Sequence, residues 1–421
     1  MGAAQFVSAL FGVVYSILAA RGLGPAPRGQ LFVIQAYAGV AALLVGLSTS
    51  TIMTVQLSRE QFDFAEVHTA ALLQSLLFGG IGGGGTLWLY LYTTHLTGPS
   101  FGMLAAYFLS MPALIYKANW SGLFLGIRRV GVISIVTVLD AFLMSVGAVV
   151  TLFVLRAGLD GMLLMMTLET AVIAAIGVYL SFKQDRRWWR WSTKCNVDLL
   201  QRGWKQHVAT TVTQLYYRAD AFILAHFLSP ASLGEYAVAR GLSDRITLAF
   251  TPFAQVMFPH ISSDDAERSR KFTQATFRQL AGLGILLATL MIVFLPWFIP
   301  LLYGNAYGGA ILLAQILCVA LIVRAITVPL ELWFVGGLLR PGFNALTSIF
   351  MLVVVVPLGI FFTMHWAAVG MAVALLISLI ATMALTIWLA NANDLRLRRL
   401  LPATSDLMQV VSEIKNFRIS S

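Results

Sequence analysis

The chain has 421 residues, of which 59% are hydrophobic and only 11% are charged, and its formal net charge is +10. Soluble domains carry about 25% charged residues, whereas apolar runs of about 20 residues are long enough to cross a membrane. The composition therefore excludes an ordinary water-soluble domain and predicts an all-α protein that crosses a membrane many times. In such a protein the positive charge indicates cytoplasmic loops, so we expect no nucleic acid partner.

Twelve apolar runs in chain order predict twelve transmembrane helices. They cover residues 2–20, 31–56, 68–94, 101–122, 131–155, 161–182, 207–228, 235–257, 279–302, 310–337, 343–364 and 367–391. Residues 2–20 are expected to form the first helix, because they lack the basic start and the cleavage site of a signal peptide. Cys195 lies in a basic loop and Cys318 in mid-run, so we expect neither a disulfide nor a metal site.

A short motif occurs twice, separated by about half of the chain. Residues 23–33 read LGPAPRGQLFV, and residues 228–238 read LSPASLGEYAV. Such a repeat predicts two similar halves, a common plan among transporters. The halves are an N-lobe at 1–182 and a C-lobe at 207–391, with a basic cytoplasmic linker at 183–206 and a cytoplasmic tail at 392–421. We expect the motif to be a turn between helices, with glycine permitting the tight turn and with no chemistry of its own.

Basic residues are distributed unequally between the two sets of loops. The set that includes the linker and the tail carries 20 Lys and Arg, and the other set carries three, Arg21, Arg28 and Arg156. Cytoplasmic loops are enriched in Lys and Arg, so both termini are predicted to be cytoplasmic and both motif copies to face outside. The outer loops are too short for a catalytic domain, and the chain has no nucleophile with a plausible base and no nucleotide-binding loop. We therefore expect no enzyme activity.

Ten ionisable side chains lie within the predicted helices. They are the cations Lys117, Arg218, Arg240, Arg245 and Arg324, and the acids Asp140, Glu169, Asp220, Asp244 and Glu331. Each costs roughly 2.5–3.5 kcal/mol at the centre of a membrane, so they are expected to face one another or a wet cavity. Spacing places Arg240 and Asp244 on one helix face, and it does the same for Arg324 and Glu331. Arg218 and Asp220 diverge, so each is expected to have its partner on another helix.

These ten side chains form the candidate site. A cation-rich cavity between two lobes suits an anionic substrate, because arginine binds phosphate esters through its guanidinium fork and lysine binds as a point charge. We assign the five cations to the binding of a diphosphate group. The five acids are assigned to ion coupling or to ion pairs within the cavity. We expect no catalytic residue, no metal and no other cofactor.

Several segments of the chain resemble a known family. They are ARGLGPAPRGQLFVIQAYAG at 20–39, YYRADAFILAHFLSPASLGEYAVARGLSD at 216–244, FPHIS at 258–262 and LYGNAYGGAILLAQIL at 302–317. In these segments the chain is similar to Wzx-type polysaccharide flippases, within the superfamily that also contains the MATE exporters and the lipid II flippases. The resemblance implies a MATE-like fold of about twelve transmembrane helices in two six-helix lobes. By position, Arg218 and Asp220 match the charged pair on the seventh helix of the family.

The resemblance also implies a function. Such a protein would move an undecaprenyl-diphosphate-linked oligosaccharide from the inner to the outer leaflet of a bacterial plasma (inner) membrane by alternating access. This transport would serve the biosynthesis of a cell-surface polysaccharide such as O-antigen, lipopolysaccharide or exopolysaccharide. The implied partners are the lipid-linked oligosaccharide, the bilayer, a proton or sodium ion and a polysaccharide polymerase of the same pathway. Two alternatives are a MATE-like ion-coupled exporter of small molecules and a membrane protein of the pathway without transport activity.

Overall fold

The computed structural model describes residues 2–94, 98–187, 189–262, 265–340 and 342–395. Within these ranges the chain is built of helices and contains no strand. The helices are α1 (Gly2–Leu23), α2 (Pro25–Gly46), α3 (Thr49–Ser58), α4 (Phe64–Thr93), α5 (Phe101–Leu109), α6 (Met111–Gly126), α7 (Val130–Val149), α8 (Gly158–Gln184), α9 (Thr193–Phe227), α10 (Pro230–Ile261), α11 (Ala266–Tyr303), α12 (Ala310–Gly336) and α13 (Gly342–Ala392). A π-helical turn, Val150–Val154, continues α7, and a 3-10 turn, Asn305–Tyr307, precedes α12.

Length and composition support a chain with many membrane crossings. Among the described residues, nine helical segments are long and apolar enough to cross a membrane. One of them, α13, holds two of the predicted spans, because Trp366 and Ala367 leave helical geometry and separate two helices. The helices α9 and α10, with 35 and 32 residues, are also long enough to cross a membrane. They are not among the nine apolar segments, and they carry several of the charged side chains of the candidate site. The prediction of an all-α, multi-pass membrane protein is confirmed.

The predicted span 31–56 is interrupted in the structure. Leu47 and Ser48 both have a positive φ, of +47° and +50°, and they separate α2 from α3. A break in a membrane helix is tolerated where protein covers the exposed backbone. Here α9 approaches closely, since a β-carbon on Gly203 would lie 2.8 Å from the carbonyl oxygen of Leu47. The second predicted span is therefore a broken helix.

The chain divides into two compact units, Met1–Ala237 (the N-terminal unit) and Val238–Ser421 (the C-terminal unit). The boundary lies inside α10, whereas the lobes expected from the sequence repeat are separated at 183–206. The units are defined by packing and the lobes by the sequence repeat, so the lobes stay a prediction. Most of the predicted tail 392–421 lies outside the described residues, which end at 395.

Each unit has its own apolar core. In the N-terminal unit, buried side chains of α3, α4, α6, α7, α8 and α9 pack around Trp120 and Phe124. In the C-terminal unit, side chains of α10, α11, α12 and α13 pack around Trp333 and Phe334. Large aromatic side chains contribute much of the buried contact area in such cores. The cores hold in place the helices on which the ionisable side chains lie.

The predicted linker 183–206 is attached to the N-terminal unit. Arg190 forms an ion pair with Asp63 and lies 3.5 Å from a carboxylate oxygen of Glu66. These two acids form the capping box at the start of α4, so the linker binds directly to a helix end. Cys195, at the start of α9, is fully buried, and burial raises the pKa of its thiol to about 12. Its thiol is therefore protonated and unreactive at neutral pH.

The two copies of the repeated motif pack against each other within the N-terminal unit. A β-carbon on Gly29 would lie 2.0 Å from the carbonyl oxygen of Pro230, and one on Gly234 would lie 1.9 Å from that of Pro25. Each glycine thus faces the first turn of the opposite helix. We call this contact, made by 25–29 of α2 and 230–234 of α10, the α2–α10 crossing. The expectation that these glycines permit a tight turn is wrong, because both lie within helices and serve close packing instead.

We expect Gly29→Ala to destabilise the protein. The added methyl group would overlap backbone atoms, which cannot move aside as a flexible side chain can, and overpacking of this kind typically costs about 1–3 kcal/mol. The melting temperature of the purified protein in detergent should fall. Gly85→Ala, at a helical glycine with no atom within 4 Å of an added β-carbon, is the matched control and should melt at the wild-type temperature or slightly above it, because alanine favours a helix. Equal melting temperatures for both variants would contradict the close contact at the crossing.

Candidate functional site

Lys117 on α6 lies between two carboxylates of the N-terminal unit. Its Nζ forms an ion pair with Asp140 on α7 and lies 3.2 Å from Oε1 of Glu169 on α8. The other carboxylate oxygen of Glu169 accepts a hydrogen bond from the Thr170 hydroxyl at 3.3 Å. With all three groups ionised, one positive and two negative charges leave the triad with an excess of one negative charge. We call these three residues the acidic triad.

A cavity of about 150 Å³ adjoins the acidic triad. It is lined by Ala38, Tyr107, Ser110, Met111, Leu114, Lys117, Met144, Met166, Glu169 and Thr170. Pockets for small molecules usually measure about 300–1,000 Å³, so this cavity is too small for an oligosaccharide. It has room for water or for a small ion, which can hydrogen-bond or coordinate its polar wall.

Uncharged polar side chains extend the wall of this cavity along α2. Gln35 lies 3.4 Å from the hydroxyl of Tyr15, to which its amide donates, and 3.7 Å from the sulfur of Met166. Gln35 precedes Ala38 by one helical turn, so the two residues share a face of α2. Gln35 and Tyr15 could not be predicted from the sequence, because single uncharged polar residues in an apolar run give no signal of their position in space.

Arg218 on α9 is an exposed cation in a predicted membrane span. It forms no ion pair or side-chain hydrogen bond with any residue that the structure describes. Its guanidinium lies against α2 at Gly39, where an added β-carbon would be 3.5 Å from Cζ. It is also within electrostatic reach of Tyr107, which lines the cavity. Arg218 is therefore placed beside the cavity with its hydrogen-bond donors available.

Asp220 follows two residues later and is directed into the protein. Its side chain is buried and accepts a hydrogen bond from the hydroxyl of Tyr236 on α10 at 2.7 Å. The predicted divergence of Arg218 and Asp220 is confirmed, as is the prediction that Asp220 has a partner on another helix. The corresponding partner predicted for Arg218 is not found in the described part of the chain.

Four of the five site residues in the C-terminal unit form ion pairs in the described part of the chain, each pair within one helix. On α12, the Nη1 atom of Arg324 lies 2.7 Å from Oε1 of Glu331. On α10, the Nε atom of Arg240 lies 3.3 Å from Oδ1 of Asp244. Both pairs confirm the prediction from helical spacing. Arg245, next to Asp244, is half-buried. All ten predicted site residues thus lie within the described residues, five in each unit.

The prediction that Arg28 lies in an outer loop is wrong. This residue lies in the first turn of α2 and is 6% exposed. Its Nε and Nη1 are buried and have no hydrogen-bond partner among the described residues. The signal that could have located it is Pro25, because proline is common in the first turn of a helix and predicts that helix α2 begins before Arg28.

Comparison with known proteins identifies both a family and a fold. Residues 1–264 match the family model described as polysaccharide biosynthesis protein. No curated protein sequence matches the chain closely enough to count as a relative. An inward-facing multidrug resistance MATE family transporter of the MOP superfamily is 15% identical, with a TM-score of 0.75 over 91% of this chain and 95% of that chain.

Two further solved structures have the same fold. The lipid II flippase MurJ, in an inward closed conformation, is 12% identical, with a TM-score of 0.71 over 93% of this chain and 87% of that chain. A MOP superfamily transporter from Pyrococcus furiosus, described by the reverse polarity of its binding pocket, is 14% identical. Its TM-score is 0.58, over 94% of this chain and 96% of that chain. At these identities the likeness establishes the fold, which is MATE-like, as the resemblance in sequence implied.

Removal of the triad lysine should destabilise the N-terminal unit. Lys117→Met leaves two carboxylates close together without a cation, and breaking a buried pair costs about 3–5 kcal/mol. We expect the lower end of that range, because the Lys117 and Asp140 side chains are 26% and 25% exposed. The double variant Lys117→Met/Asp140→Asn restores the net charge of the triad and should recover most of the melting temperature. A single variant as stable as the wild type would contradict the described contacts.

Proposed function

Because the chain belongs to the polysaccharide biosynthesis protein family, we propose that it is a flippase for an undecaprenyl-diphosphate-linked oligosaccharide. It moves this lipid from the inner to the outer leaflet of a bacterial plasma membrane by alternating access. The observation on which the proposal rests is Arg218, an exposed residue of a predicted membrane span that has no ion pair among the described residues. Charge in a span is costly and neutral packing is cheaper, so such a residue is best explained by an anionic ligand.

We assign the binding of the diphosphate to Arg218 first and to Arg240, Arg245 and Arg324 as further contacts. A guanidinium has five N–H donors, so a single carboxylate partner does not saturate it. The acids Asp244 and Glu331 therefore hold two of these arginines in a fixed position and leave donors for a phosphate oxygen. Asp220 has a different task, since its hydrogen bond with Tyr236 ties α9 to α10 beside Arg218.

Lys117 is better assigned to ion coupling than to the diphosphate. Two carboxylates already bind its ammonium group, and the adjoining cavity has room for water or an ion only. We propose that the acidic triad takes up one proton, which its excess negative charge favours. Protonation of a carboxylate weakens its contact with Lys117, and because each member lies on a different helix, this alters how α6, α7 and α8 are held together. A sodium ion would compete with the ammonium group of Lys117 for the same carboxylate oxygens, which favours a proton as the coupling ion.

The membrane potential supplies a second driving force. Moving about two negative charges outward across a potential of 100 mV, inside negative, gains ~4–5 kcal/mol if the charges cross the whole field. The glycan would travel in a wet passage and the polyprenyl chain in the bilayer. A proton gradient and the membrane potential would then act in the same direction on the transport cycle.

The alternatives differ in measurable ways. A MATE-like exporter of small molecules shares the fold, and the fold alone does not separate the two functions. An exporter of cationic drugs calls for a cavity in which acids dominate; the acidic triad has this character, but the five cations of the candidate site, Arg218 first among them, do not fit a cationic substrate. A pathway protein without transport activity has no need of an arginine in a predicted span that lacks an ion pair among the described residues. A change in drug resistance without a change in polysaccharide would favour the exporter.

We expect Arg218→Ala and Arg324→Ala to reduce complementation of a flippase-null strain. Loss of charge-assisted hydrogen bonds to a phosphate costs about 1.5–3 kcal/mol, which is roughly tenfold or more in binding. Surface polysaccharide should therefore fall relative to the amount of protein in the membrane, which is measured for each variant because Arg324→Ala also removes the partner of Glu331. Arg129→Ala, at an exposed arginine in a loop, is the control. If both single variants complement fully at native expression, a cationic diphosphate site is ruled out.

Glu169→Gln should separate binding from coupling. The neutral amide cannot take up a proton, so flipping in proteoliposomes should lose its dependence on an imposed pH gradient. Binding of a polyprenyl diphosphate in detergent should remain at the wild-type level, because the acidic triad is not assigned to the substrate. The conservative variant Glu169→Asp retains an ionisable group and should keep part of the gradient response. A Glu169→Gln variant that responds to the gradient as the wild type does would remove the triad from the coupling mechanism.

A further inference from the structure

The two copies of the repeated motif differ at one buried position. The residue directly before the motif glycine is Arg28 in the first copy and Leu233 in the second. Both residues lie in the first turn of a helix, and they are 6% and 0% exposed. The second copy demonstrates that this position of the motif accepts a leucine. The first copy has an arginine at the same position, so its side chain is not explained by packing.

The burial of Arg28 is costly for the fold. Its Nε and Nη1 are buried and have no hydrogen-bond partner among the described residues, and no described carboxylate forms an ion pair with it. A buried charge without a partner is far less favourable than an apolar side chain of similar volume. The arginine at residue 28 therefore costs the fold free energy that the leucine at the equivalent residue 233 does not cost. Such a cost indicates a ligand of opposite charge.

We propose that Arg28 is an anion-binding residue that contacts the diphosphate group of the transported lipid. This inference rests on the proposed function, because that function supplies the anion. A guanidinium binds phosphate oxygens with two parallel hydrogen bonds. Polar groups stand near it: Tyr15 is within electrostatic reach of Arg28, and Gln35, which donates to the Tyr15 hydroxyl at 3.4 Å, lies two helical turns further along the same face of α2.

The α2–α10 crossing determines when this site is accessible. Gly29 follows Arg28 directly and packs against Pro230, and a β-carbon at Gly29 would lie 2.8 Å from the Leu233 Cβ. In this structure, in which the crossing is closed, the arginine is 6% exposed. When the two helices separate, the first turn of α2 is uncovered and the guanidinium can reach an anion. The site is therefore available only in a conformation with an open crossing, which the predicted orientation places at the outer end of the route.

Arg28→Leu gives the first motif the residue that the second motif already has. We expect the purified variant to melt at the wild-type temperature or above it, because an unpaired buried charge has been removed. The probe is farnesyl diphosphate, a short polyprenyl diphosphate, which should raise the melting temperature of the wild type. The variant should require about tenfold or more of it for the same shift. Farnesol, which lacks the diphosphate, should not distinguish the two proteins, and Arg129→Leu is the control for loss of an exposed charge.

One result would overturn the inference outright, namely an Arg28→Leu variant that responds to farnesyl diphosphate as the wild type does. If the variant instead melts well below the wild type, Arg28→Lys, which keeps the charge, decides between the two roles: retained binding of farnesyl diphosphate supports the inference, and lost binding at a wild-type melting temperature overturns it. Failure of the proposed function looks different, because the wild type itself would then neither respond to farnesyl diphosphate nor complement a flippase-null strain.

Discussion

The cost of holding a charge inside a membrane determines where the ionisable side chains of this protein lie. Lys117 is held by Asp140 and Glu169, and Arg324 lies 2.7 Å from Glu331. Pairing of this kind recovers part of the free energy that insertion of a charge costs. Where pairing is the rule, the arginines without an ion pair become the informative residues. The assignment of a diphosphate site follows from these exceptions and not from the number of cations alone.

The helix α2 connects the parts of the candidate site. Its first turn forms the α2–α10 crossing, Ala38 in its middle lines the cavity, and Gln35 lies 3.7 Å from Met166, which also lines the cavity. Gly39 leaves room for the guanidinium of Arg218. Because the crossing has no space for a side chain on Gly29, α2 is positioned against α10 by backbone contact. A shift of α2 at its first turn would therefore be felt along the same helix at the cavity and at Arg218.

The sequence predicted those features that depend on a single helix. Runs of apolar residues identified the membrane class, and the spacing of Arg324 and Glu331 predicted their ion pair, because helical periodicity is local. It could not predict that Lys117 binds acids on two other helices, since those contacts depend on how the helices pack. The break at Leu47 and Ser48 was also missed, because neither residue is a glycine or a proline and the covering contact comes from α9.

The repeated motif explains why a buried position can carry chemistry. The contact between its copies is reciprocal. A β-carbon on Gly29 would lie 2.0 Å from a carbonyl oxygen of α10, and a β-carbon on Gly234 would lie 1.9 Å from a carbonyl oxygen of α2. A side chain on either glycine would open the crossing, so both copies need glycine. The preceding position has to fill space only, and leucine does so in the second copy. A residue that is free of the structural constraint can acquire another task, and an arginine without an ion pair at this position is the kind of departure that binding of an anion requires.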